Sequence, residues 1–128
     1  MREYLFRGRR FDNIWVEGYL FAKPILEKYF ITLGEEQWLV NRNTVGQYTG
    51  LKDINKQKIF EGDIIRSRYG ITWLVAFENN AFVCKDSSGE IYFALWEQWE
   101  FDYKNKQWLA PDYFEVVGNI YDTPELLK

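Results

Sequence analysis

Ile64-Ile65-Arg66-Ser67-Arg68-Tyr69-Gly70-Ile71-Thr72-Trp73-Leu74-Val75-Ala76-Phe77-Glu78-Asn79-Asn80-Ala81-Phe82-Val83-Cys84-Lys85-Asp86 is the stretch whose reading decides the fold. Short apolar runs are broken at Gly70 and at Asn79-Asn80, and the next break is Ser87-Ser88-Gly89. These residues accept φ > 0 or close tight turns, so the runs read as antiparallel strands over residues 64–69, 71–78, 81–86 and 90–95. Within 71–78, Ile71, Trp73, Val75 and Phe77 fall on one face and Thr72, Leu74, Ala76 and Glu78 on the other. Both faces are largely apolar, which predicts a central, buried strand.

Working outward, the N-terminal part reads as strands over 4–9, 14–21, 29–33 and 37–40, with Ile14, Val16, Gly18 and Leu20 alternating against Trp15, Glu17, Tyr19 and Phe21. Residues 24–28 suit one helical turn. The segment 45–53 holds Gly46 and Gly50 and little periodicity, so it reads as an ordered loop, followed by a polar turn over 52–58 and the turn Glu61-Gly62-Asp63. Residues 96–101 suit either a short helix or a continued strand, 102–107 a polar turn, and 113–121 a last strand. Thr123-Pro124-Glu125 has the cap, N1 proline and acidic first turn of a helix start. The expected fold is mainly β: an antiparallel meander forming a small SH3-like barrel, extended by N-terminal strands and with little helix. Closure of that kind removes sheet edges. At 128 residues one domain is expected, with N-terminal strands over 1–44, a loop segment over 45–63 and the meander over 64–128.

Hydrophobic residues make up 47% of the chain and charged residues 27%, enough apolar surface for a core. Six Trp, nine Tyr and ten Phe exceed what a core of this size accommodates easily, which favours an interaction surface. A net charge of −3 without blocks of like charge supplies no general attraction to polyanions. The single cysteine, Cys84, lies in an apolar run and reads as a buried thiol in a reducing compartment. The N-terminus has no apolar signal core and no segment has the length of a membrane span, so a cytoplasmic, unprocessed protein is expected, without membrane contact.

The absence of histidine removes the usual neutral-pH base, Ser-His and Cys-His pairs and the commonest zinc ligand. There is no phosphate-cradling glycine motif. Glu61 and Asp63 flank Gly62, but an acidic residue there is better explained as a turn former. No catalytic residues, metal site or cofactor are therefore assigned. Arg7, Arg9 and Arg10, with Arg2, form one basic cluster and Arg66 and Arg68 another, beside Tyr4, Phe6 and Tyr69. Such an arrangement suits a nucleic-acid surface, but solvated edge-strand charge is the favoured reading, because the acidic balance of the chain must be overcome locally.

The residues Val45-Gly46-Gln47-Tyr48-Thr49-Gly50-Leu51-Lys52-Asp53 with Ile59-Phe60-Glu61-Gly62-Asp63-Ile64-Ile65-Arg66 resemble the signature of the YopX family of phage and prophage proteins. Phe114-Glu115-Val116-Val117-Gly118-Asn119-Ile120-Tyr121 is similar to its C-terminal marker. Phe6-Arg7-Gly8-Arg9-Arg10 and Trp15-Val16-Glu17-Gly18-Tyr19-Leu20 extend the likeness over nearly the whole chain. One departure is Asn55-Lys56 where the family commonly has Asn-Gly, which predicts another turn type or a longer turn, since lysine tolerates left-handed backbone poorly. The resemblance implies a phage or prophage origin, brings no catalytic residues to carry over, and suggests self-association.

The leading expectation is a non-enzymatic module that engages a host or phage protein, with Tyr48, Thr49, Gly50, Leu51, Lys52 and Asp53 as candidate binding residues, against a purely structural role for the same loop. The alternative is a nucleic-acid-binding module using Arg7, Arg9, Arg10, Arg66 and Arg68.

Overall fold

A computed structural model describes residues 4–111 and 113–128. Its secondary structure is antiparallel β with three single-turn 3-10 helices among the described residues. The chain divides between Tyr48 and Thr49 into two compact units.

In the first unit, β1 (Phe6–Arg10), β2 (Trp15–Lys23), β3 (Lys28–Leu33) and the start of β4 (Glu36–Lys52) form successive antiparallel pairs. β1 pairs with β4 as well as β2, so these four strands close on themselves. The expected alternation in β2 holds: Gly18 is buried, while Glu17, Tyr19 and Phe21 are exposed. Two glycines make the packing possible. A Cβ on Gly18 would lie 2.2 Å from the Thr32 carbonyl oxygen, and one on Gly8 2.9 Å from Val40. Opposite Gly8 the register skips from Asn41 to Gly46, and the buried Thr44 knits this bulge by accepting from the Arg9 N–H (2.8 Å) and donating to the Asn41 carbonyl (2.6 Å). The turn of residues 24–28 is the 3-10 helix Pro24–Leu26.

The segment 45–53, expected as a loop, is instead the continuation of β4 as far as Lys52, a strand 17 residues long, with Asp53 just beyond its end. Its inward positions are Thr44, Gly46 and Tyr48, and the phase then shifts so that Leu51 and Asp53 are buried. Gly50, at φ +85°, sits at the shift. One residue in left-handed backbone re-aims every side chain after it.

In the second unit, β5 (Lys58–Phe60) lies beside the end of β4. A five-stranded sheet follows in the order β12-β6-β7-β8-β9, from β6 (Asp63–Arg66), β7 (Thr72–Glu78), β8 (Ala81–Lys85), β9 (Ile91–Ala94) and β12 (Glu115–Asn119). This is the expected meander with β7 at its centre. Asn79 and Asn80, at φ 54° and 62°, supply the two left-handed residues of a twist-matched hairpin. β6 ends at Arg66, earlier than expected, because residues 67–70 are taken by the turn in which the Gly70 N–H bonds the Ser67 carbonyl.

Residues 96–101 divide between a 3-10 helix, Leu95–Gln98, and β10 (Glu100–Asp102), which forms a two-stranded ribbon with β11 (Gln107–Leu109). Leu51, Ile59, Ile65, Val75, Cys84, Leu95, Trp99 and Phe114 form the buried core of this unit. Each large apolar side chain so buried contributes about 1.5–3 kcal/mol before the entropy of ordering is subtracted. Burial also pushes the Cys84 thiol up to about 12, which makes it an inert apolar group. Among the described residues no helix is long and apolar enough to cross a membrane.

Candidate functional site

The segment 48–53 is two-sided. Tyr48, Leu51 and Asp53 are buried, Thr49 is half-buried, and Gly50 and Lys52 are exposed. Asp53 is 2% exposed, and its carboxylate is occupied by backbone donors. Oδ1 accepts from the N–H groups of Asn55 and Gln57, both at 2.9 Å, and Oδ2 from that of Val116 at 2.8 Å. The Ile54 N–H reaches the Phe114 carbonyl at 3.1 Å, so the loop after β4 is fastened both to β12, at Val116, and to the residue that precedes it. From below, Trp99 donates its indole N–H to the Lys52 carbonyl (2.8 Å) while its ring stacks on Phe114 at 5.6 Å.

The Glu61-Gly62-Asp63 turn serves the same fastening. Asp63 accepts the Phe60 N–H at 2.7 Å, as expected of a turn former. The Gly62 N–H bonds the Val75 carbonyl and the Gly62 carbonyl takes the Ile120 N–H. A Cβ on Gly62 would lie 2.9 Å from the Tyr121 ring. Of the segments that carry the family resemblance, 59–66 and 114–121 thus bind one another inside the second unit, and Asp53 at the end of 45–53 joins them.

A cleft of about 460 Å³ is lined by Lys52, Asp53, Ile54 and Lys56, from the end of β4 and the turn after it, and by Gln107, Trp108, Leu109 and Ala110, from β11 and the residue after it. Ile54, Trp108 and Leu109 are 43%, 44% and 43% exposed. Lys52 and Lys56 are exposed, and neither has an ion-pair partner among the described residues. Lys56 stands at φ 64°, so lysine does occupy the left-handed position, contrary to the turn change expected for Asn55-Lys56. The Asp53 carboxylate, holding Asn55 and Gln57 on either side, imposes that conformation. Sequence reading found Lys52 and Asp53 but missed Lys56 and the β11 wall, which lies over 50 residues away along the chain.

The arginines fall into separate groups. In the first unit Arg7 and Arg9 both lie over the Trp15 ring, at 4.8 and 5.9 Å, and Arg10 pairs with Asp12 at 2.6 Å. In the second unit Arg66 pairs with Glu115, and Arg68, in the turn after β6, lies 4.7 Å from the Tyr113 ring. Arg2 lies outside the described residues. A shallower concavity in the first unit, about 400 Å³, is lined by Arg10, Phe11, Asp12, Gln37, Trp38 and Leu39, with its one cation already paired.

Comparison with curated proteins finds no match. The family model described as YopX protein matches residues 12–128, and the chain therefore belongs to the YopX family.

Proposed function

We propose that this chain is a non-enzymatic module that binds a protein partner through the cleft of its second unit. The observation that carries the reading is the contrast within one loop: Asp53 is buried and accepts three backbone N–H groups, while the side chains of Lys52, Ile54 and Lys56 are exposed and line one cleft with the exposed Trp108. Exposed aromatic and aliphatic groups around a rigid concavity are the usual anchors of recognition. The test is affinity capture from a lysate of the bacterial host, wild type against Trp108→Ala. A partner recovered reproducibly by the wild type and lost from the variant supports the reading, and recovery of none sinks it.

Three finer readings accompany it. The meander with β12 beside β6, and a 3-10 turn after β9, supports an SH3-like barrel as the template of the second unit. The row Phe21, Phe30 and Leu39, matched across β2, β3 and β4, supports self-association through the first unit, since Phe21 and Leu39 are 47% and 42% exposed. The family resemblance supports a phage or prophage origin, and the free, buried Cys84, in keeping with a reducing compartment, supports action in the host cytoplasm.

A second reading is nucleic-acid binding by the first unit, supported by the stacking of Arg7 and Arg9 on Trp15, an arrangement that suits unpaired bases and phosphates. Fluorescence anisotropy with labelled single-stranded DNA at low salt decides it, because phosphate contacts strengthen as salt falls.

A further inference from the structure

We infer that the cleft takes an acidic peptide in extended form, added as a strand along the free edge of β11; the inference rests on the protein-binding reading above. Three observations converge on it. First, β11 pairs with β10 on one side and with no strand on the other among the described residues, so half of its backbone donors and acceptors are open to a new strand. Second, Gln107, Trp108 and Leu109 all line the cleft, although alternation along a strand sends Trp108 to the opposite face from its two neighbours. What borders the cleft is therefore the strand's edge, seen from both faces. Third, the cleft lining also includes Lys52 and Lys56, both exposed, on a chain whose net charge is −3.

These features select the chemistry of the occupant. An open strand edge recognises polypeptide backbone, which nucleic acid lacks, and two exposed lysines in the lining of the same cleft favour Asp or Glu on the added strand. Ile54, Trp108 and Leu109 supply apolar contact for the residues between them.

The test is selection of a displayed library of random twelve-residue peptides on the full chain, followed by binding measurements on the winners. Asp- and Glu-rich sequences should be enriched, and they should bind Lys52→Glu/Lys56→Glu about tenfold or more weakly, a loss that shrinks at high salt. Methylating successive backbone nitrogens of a winner should weaken binding at every second position, the period of a strand ladder. Circular dichroism confirms that the variant is folded. Enrichment of basic or neutral peptides, binding unmoved by charge reversal, methylation effects without period two, or displacement of the peptide by single-stranded DNA would each overturn the proposal. If no peptide is enriched while Trp108-dependent capture persists, strand addition is wrong and the protein-binding reading stands; loss of both removes both.

Discussion

Replacing Asp53 tests whether the loop after β4 is the fastener of the second unit. Its carboxylate takes three backbone N–H groups, and hydrogen bonds to a charged acceptor each contribute about 1.5–3 kcal/mol. Asn55 and Gln57 are exposed, so water replaces the carboxylate at their N–H groups in Asp53→Ala, whereas the half-buried Val116 N–H is left far from that remedy. Allowing about 0.5–1 kcal/mol for each of the first two and about 2 for Val116 gives a loss of about 3–4 kcal/mol. Asp53→Asn keeps one oxygen for Asn55 and Gln57 but turns an NH2 group toward the Val116 N–H, two donors face to face, so about 2 kcal/mol is expected. For a unit of this size that lowers Tm by about 8–16 °C. Urea denaturation followed by tryptophan fluorescence reads it, with Lys52→Ala, an exposed side chain, within about 0.5 kcal/mol of wild type as the control. A loss below about 1 kcal/mol for Asp53→Ala would refute the reasoning, since the loop would then be held by other contacts.

Lys56→Gly relieves a left-handed lysine that costs about 1–2 kcal/mol, offset by about 0.4–1 kcal/mol of glycine entropy, so it should stabilise by about 0.5–1 kcal/mol in urea melts while weakening peptide binding. Gly62→Ala places a methyl against Tyr121 at φ +96°, and a loss of about 2–3 kcal/mol is expected by the same assay. Cys84 should resist alkylation at pH 8 in the folded protein and react fully in urea. Its folded pKa of about 12 lies above the unfolded value of 9.0, so its contribution to stability is present below pH 9 and lost as pH rises toward 12, a trend Cys84→Ala should remove.

What the sequence made legible is the meander. Apolar runs over 71–78 and 81–86, broken at Asn79-Asn80, carry both the strand period and the turn chemistry, and β7 lies where they put it. The middle of β4 was illegible because two of its inward positions are Thr44, which serves a hydrogen bond, and Gly46, so neither marks the inward face with a large apolar side chain. Gly50 then inverts the alternation, so no single period spans the strand. The cleft escaped for a different reason. Lys52 and Asp53 stood out in a glycine-bearing segment, but Trp108 belongs to three exposed residues in a polar context, and only tertiary folding brings them into one cleft.

The two sides of residues 52–56 explain why one short loop can be both rigid and receptive. Asp53 satisfies the backbone inside the turn and ties it to β12, and Trp99 holds the Lys52 carbonyl from beneath, so the turn does not depend on its own outward side chains. Lys52, Ile54 and Lys56 are thereby released from structural duty and present charge and apolar surface in fixed positions. On the proposed binding role, a ligand would meet a preorganised surface and lose little affinity to ordering it. Weakening the floor through Asp53 should therefore reduce binding even in variants that remain folded, whereas charge reversal at Lys52 and Lys56 should reduce binding and leave stability within about 0.5 kcal/mol.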